Sequence, residues 1–197
     1  MAPDERRRAI VDAVVPLLLA NGDAVTTREI AEAAGIAEGT IFRVFPDKAA
    51  LLLATAEETM NPATGRADLA AALEGVTTLR EKVLITTERL NARSERVMAV
   101  MIALRGVWMS QPEKSGHPHG PPQFILDANK AVLEMLTEVF EEHRDELTVE
   151  PGTAALLLRT LVLGSRHPGV SQDELLTPDQ IADALLDGVR RPSRGEG

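Results

Sequence analysis

Hydrophobic residues recur along this chain at the three-to-four-residue spacing of a helix face. Ile10, Val11, Val14, Val15, Leu18 and Leu19 set out a first helix over Arg8–Leu19. Pro16 lies inside it and predicts a kink, and Asn21-Gly22 closes it with a left-handed residue. Thr26 and Glu29 have capping-box spacing and start a helix from Thr27 to Ala34. Gly35 then permits a sharp turn into a second short helix, about Glu38–Val44. Pro46-Asp47-Lys48 begins another, which runs to about Thr59 before Asn61-Pro62. Leu79, Val83 and Leu90 share one face of a longer helix. From Val97 to Trp108 apolar residues occupy most of the circumference, which predicts a central, buried helix. Residues 110–122 carry four prolines and two glycines and predict a loop. Helical spacing resumes over 123–145 with Ile125, Ala128, Val132, Leu136 and Val139. Pro151 opens a short apolar helix to Gly164. Thr177-Pro178-Asp179-Gln180 caps a last one to about Arg190, and the tail beyond is expected to be loose.

The composition agrees with an all-α chain. Ala, Leu, Glu and Arg abound, aromatic residues make up 3% and tyrosine is absent. At 197 residues the chain is long for one small domain and short for two full ones. A chain of this size buries about 70% of its unfolded surface and needs no covalent staples. The lack of cysteine excludes disulfides, thiolate metal sites, iron–sulfur clusters and cysteine nucleophiles. No apolar stretch approaches the roughly 20 residues of a membrane span. The first residues, MAPDERRRAI, mix acids with arginines and do not form a secretory signal. A cytoplasmic setting without a membrane partner is expected. The net charge of −9 argues against a general polyanion binder.

Two short helices about a glycine, within a three-helix N-terminal unit, form a helix-turn-helix arrangement. In that arrangement the first helix crosses the DNA backbone and the second enters the major groove by its N-terminal end. An ordinary helical hairpin has the same spacing. The segment Thr26–Lys48, TTREIAEAAGIAEGTIFRVFPDK, taken with the helix before it, resembles the DNA-binding signature of TetR-type (TetR/AcrR) transcriptional regulators. The resemblance covers about residues 6–55. The remainder has the length and helical layout of that family's ligand-binding and dimerisation domain. The resemblance therefore implies a helix-turn-helix DNA-binding domain over 1–48. A connecting helix at about 47–60 would join it to a larger helical domain, 49–197. It also implies that Glu38–Val44 enters the major groove. Thr27 and Arg28 match phosphate- and base-contacting positions, and Ala37, Glu38, Gly39, Thr40 and Arg43 match groove-facing ones. Phe42 matches an aromatic that contacts the DNA backbone, and Lys48 a lysine that holds a phosphate. The chain departs from the family at Phe42, where tyrosine is frequent, at Glu38, where lysine is common, and at Val44, where an aromatic is common.

Side-chain chemistry adds to this. Arg28 and Arg43 can each pair bidentately with guanine, worth about 1–3 kcal/mol of discrimination. Glu38 has two readings: an acceptor for a cytosine amino group, or an acid that suits its helix dipole. Arg6, Arg7 and Arg8 form either an arm for phosphates or the minor groove, or a solvated helix start. Residues 1–48 hold six Lys/Arg and eight Asp/Glu. Modest affinity with a shallow salt dependence follows, with helix N-termini and backbone amides supplying part of the anchoring.

In the C-terminal domain, Met98, Met101, Ile102, Trp108, Phe124 and Met135 either line an apolar pocket or pack as core. Arg105, with Thr86, Thr87 and Asn91, is placed to orient a ligand. Leu157, Leu158, Leu161, Val162 and Gly164 make one apolar face. Ile181, Leu185 and Val189, with Ala184 and Gly188, make another. The two faces suit a dimeric four-helix bundle, or the chain's own core. His117 and His119 form an H-x-H pair, with His143 and His167 elsewhere and no acid cluster nearby in sequence. No metal or other cofactor is expected, and no enzyme motif occurs. The expected function is a homodimeric, ligand-responsive DNA-binding regulator of transcription. It would repress at a palindromic operator in double-stranded DNA until a small apolar effector releases it. The alternative is a helical ligand-binding or scaffold protein that has lost DNA binding.

Overall fold

A computed structural model describes residues 3–110, 122–165 and 175–189, with side chains over 5–106, 122–165 and 175–189. Among the described residues there is no strand, so the chain is all-α. The helices are α1 (Pro3–Asn21), α2 (Thr27–Ala33), α3 (Glu38–Val44), α4 (Lys48–Thr59), α5 (Pro62–Leu73), α6 (Leu79–Ser110), α7 (Gln123–Glu141), α8 (Pro151–Ser165) and α9 (Pro178–Val189). They fall into two compact units. One draws on Met1–Asn61 and Arg93–Ile125, the other on Pro62–Ala92 and Leu126–Gly197. The first unit therefore takes in α4 and the second half of α6 as well as the three N-terminal helices.

In the first unit, α1 supplies Ile10, Val14 and Leu18 to a core shared with Ile30, Ile41, Phe45, Leu51 and Leu52. Val100, Ala103 and Leu104 of α6 complete it. α1 runs through Pro16 as one helix and stops where Gly22 takes φ +65°. The capping box at Thr26 and Glu29 is formed in full. At the other end of α2, Gly35 takes φ +67°. The Gly35 amide donates to the Glu32 carbonyl and the Ile36 amide to the Ala31 carbonyl. That pair of bonds is a Schellman turn, and it aims the chain into α3.

In the second unit, Leu79, Val83 and Leu90 of α6 pack with Leu136 and Phe140 of α7, Leu158 of α8, and Ile181 and Leu185 of α9. Lys82 pairs with Glu142, and Arg80 reaches Asp183 at 2.9 Å. Thr177 and Gln180 exchange capping hydrogen bonds at the start of α9.

The hydrophobic pattern misses α5. It is rich in alanine, and its only fully buried residue is Leu69, which sits on Met135 and Val139, so no apolar stripe marks it. The expectation of all-round burial from Val97 also fails. Only the Val100, Ala103 and Leu104 face is buried there, while Met98 and Ile102 stand 42% and 50% exposed. The loop at 111–121, His117, His119, His167 and the tail lie outside the described residues.

The Thr86 hydroxyl oxygen is buried without a hydrogen-bond partner. Thr55 and Thr87, equally buried, each donate to the carbonyl four residues back. A buried unpaired hydroxyl costs about 1–3 kcal/mol. Thr86→Val is therefore expected to raise the urea midpoint with an unchanged slope. A lowered midpoint would show that the hydroxyl is satisfied.

Candidate nucleic-acid interface

The surface offered by α2 and α3 is set by what their inner faces bury. Ile41 is fully buried and Phe45, which caps α3, nearly so. Residues one or two places away must then point outward. Ala37, Glu38, Gly39, Phe42 and Arg43 are exposed, and Thr40 is half-buried. Arg28 is exposed and Thr27 half-buried at the start of α2. Phe42 leaves half of its surface in solvent. Gly39 weakens its helix by about 1 kcal/mol relative to alanine. Yet among the described residues, apart from its chain neighbours and its own helix backbone, nothing lies within 4 Å of where its Cβ would stand. Internal packing does not require a glycine there.

Three side-chain contacts fix this surface, and none has a sequence signal. The Thr27 hydroxyl donates to Glu38 Oε1 at 2.6 Å and ties the first residue of α2 to the first of α3. Lys48 Nζ donates to the Val25 carbonyl, which ties α4 to the turn before α2. The Arg7 guanidinium lies 4.7 Å from the Phe45 ring centroid, a cation–π contact that holds α1 against the end of α3. Asp47 caps α4 by accepting from the Ala50 amide at 2.8 Å. Glu29 accepts from the Thr26 backbone amide at 2.7 Å and from its hydroxyl at 2.8 Å. Those bonds, the backbone one foremost, hold the Glu29 carboxyl below the usual carboxylate range.

The ligand residues read from sequence fall into two environments among the described residues. Met101 and Phe124 pack against the first unit's core. Met98, Ile102 and Arg105 are exposed, and the Trp108 side chain lies outside the described residues. A groove of about 490 Å³ lies on α7, lined by Lys130, Leu133, Glu134, Thr137 and Glu138. Thr86, Thr87 and Asn91 are buried within the second unit.

The dimer residues divide in two. Ile181, Leu185 and Val189 are buried in their own unit's core, so the expectation that they face a partner is corrected. Only one apolar stripe was available on α9, and intramolecular packing uses it. On α8, Leu158 and Val162 are core, while Leu156, Leu157 and Leu163 stand 46%, 41% and 49% exposed. Leu161 is half-buried and Gly164 exposed beside them.

The profile of the family described as bacterial regulatory proteins, tetR family, matches residues 10–55. Residues 10–55 are thus similar to the DNA-binding segment of TetR-family regulators. The TetR-type helix-turn-helix is thus α2–turn–α3, and Glu38–Val44 is its second helix. No curated protein matches the chain by sequence. Among solved structures, the TetR transcriptional regulator SCO0520 of Streptomyces coelicolor is 23% identical, with TM-score 0.64, over 95% of this chain and 99% of that one. The superantigen PfiT is 21% identical, with TM-score 0.63, over 98% and 100%. The transcriptional regulator FadR of Bacillus subtilis, solved with stearoyl-CoA, is 17% identical, with TM-score 0.56, over 91% and 95%. The chain shares the fold of these three structures over 91% or more of its length. Among its described residues no helix is long and apolar enough to cross a membrane.

The Glu29 cap gives the TetR-type unit a defined acid response. A carboxyl whose folded pKa lies below its unfolded one stabilises the fold above the unfolded value. That contribution disappears as pH falls through the lowered value. Glu29→Gln is expected to flatten the acid limb of the stability curve, read by urea unfolding between about pH 6 and pH 3. An acid limb as steep as the wild type's would show that the cap carries no linkage.

Proposed function

We propose that this chain is a ligand-responsive repressor that binds a palindromic operator as a homodimer and is released by a small apolar effector. The observation that carries this reading is the TetR-type surface itself. Arg28, Phe42, Arg43 and the open Gly39 stand outward on two helices held rigid from behind. A glycine not required by its own chain suits close approach of a DNA backbone. Arg43 reads a base, while Lys48 adds charge beside a phosphate from an amine already aimed by the Val25 carbonyl.

The exposed α8 leucines suit a second copy, since a two-fold axis sets like against like. Dimerisation would pair two recognition helices about 34–36 Å apart, one helical turn of DNA. An effector releases DNA to the extent that it prefers the state whose spacing misfits the operator. The FadR structure, a protein of similar fold solved in complex with stearoyl-CoA, supports an apolar effector. The protein would act in the cytoplasm, where it meets DNA. The alternative, a binding protein without DNA affinity, is favoured by the Thr27 and Lys48 bonds inside the unit and by the fold shared with a superantigen.

Selection from random duplex DNA at low salt separates the two readings. A palindrome supports the regulator, and no enrichment by a folded dimer supports the alternative. On the selected duplex, Arg43→Ala is expected to relax preference at one base position per half-site. Lys48→Met is expected to weaken all duplexes alike and to lower the salt slope by about one. Equal loss on every duplex for both variants would overturn these roles. Leu157→Asp is expected to give a folded monomer by analytical ultracentrifugation, and a dimer that persists would move the interface off α8.

A further inference from the structure

The acid at the head of the recognition helix is tied to the helix before it. An acid in a first turn ordinarily accepts from the free amides of that turn. The N-cap of α3, Ala37, has no side chain able to cap the helix. The hydrogen bond of the Glu38 carboxylate is instead to the Thr27 hydroxyl, 11 residues back in the chain. That bond consumes the only proton the hydroxyl has to donate. The pair therefore presents acceptors alone toward solvent: the lone pairs of Thr27 Oγ1 and the second oxygen of Glu38.

An acceptor-only edge repels phosphate and accepts from donors. In the major groove the donors are exocyclic amino groups, on cytosine N4 and adenine N6. Adenine sets the N7 lone pair beside its amino group, and a carboxylate placed there meets that lone pair with its own. Cytosine has no ring acceptor on that edge. Resting on the DNA-binding reading above, we infer that Glu38, oriented by Thr27, is a specificity-determining residue that reads a cytosine amino group in each half-site.

A carboxamide in place of the carboxylate sets an N–H donor beside a carbonyl acceptor, which match adenine N7 and N6 in turn. Glu38→Gln keeps the side chain's shape and an oxygen for Thr27. It is expected to switch the selected base at one position per half-site from cytosine to adenine. Selection from random duplex DNA, run in parallel with the full-length wild type and Glu38→Gln, reads this directly. Anisotropy titrations on the two resulting duplexes then measure the switch. The preference at that position is expected to invert, each protein favouring its own base by about 5- to 150-fold. Thr27→Val leaves Glu38 unoriented, and is expected to lower the cytosine preference several-fold while the salt slope stays as it was.

Identical base preferences for the wild type and Glu38→Gln, at every position of a shared palindrome, would overturn the inference and leave the DNA-binding reading standing. A Thr27→Val variant that loses thermal stability but keeps full cytosine preference would overturn the positioning role. Enrichment of no sequence by either protein would overturn both this inference and the reading on which it rests.

Discussion

Two helices of seven residues have no stability of their own in water, because so few hydrogen bonds cannot offset the loss of chain freedom on nucleation. α2 and α3 exist here because each is closed at its ends and pinned along one side. The Thr26–Glu29 box starts α2, the Gly35 turn ends it, and Ile30, Ile41 and Phe45 fix both helices to a core built from α1, α4 and α6. The inward residues leave no choice about which residues face outward. The reading surface is thus a consequence of the core, and every inference about DNA rests on that constraint.

The surface is poor in net positive charge, and its cations are used with care. Arg7 lies over Phe45 and the Lys48 amine donates to a carbonyl, so each is held in place before any DNA arrives. Preorganised charge loses less freedom on binding than free side chains would. Acids at the same surface penalise non-specific contact with phosphate, which leaves discrimination to the base edges. A weakly cationic reader with fixed side chains favours specificity over bulk affinity.

Much of the first unit was legible from residues alone. Caps and glycine stops are local codes, and the start of α2 and the turn at Gly35 followed from Thr26, Glu29 and Gly35. The motif then identified the outward residues. The Thr27–Glu38, Lys48–Val25 and Arg7–Phe45 contacts were not legible, since each joins residues distant in sequence without a spacing rule. In the second unit a stripe of leucines does not say what it packs against. The stripe of Ile181, Leu185 and Val189 turned inward, whereas Leu156, Leu157 and Leu163 on α8 remained exposed. α5 escaped notice because a helix that buries one leucine has almost no periodicity to read.

If the rigid pair α2–α3 is the surface that meets DNA, binding must slow amide exchange along it. Amide hydrogen exchange on the full-length protein, free and bound to a selected duplex, tests it most directly. Added protection is expected to concentrate in residues 26–45 and to be strongest over Glu38–Val44. Bound protein with unchanged exchange across 26–45, and protection gained only in the second unit, would contradict it.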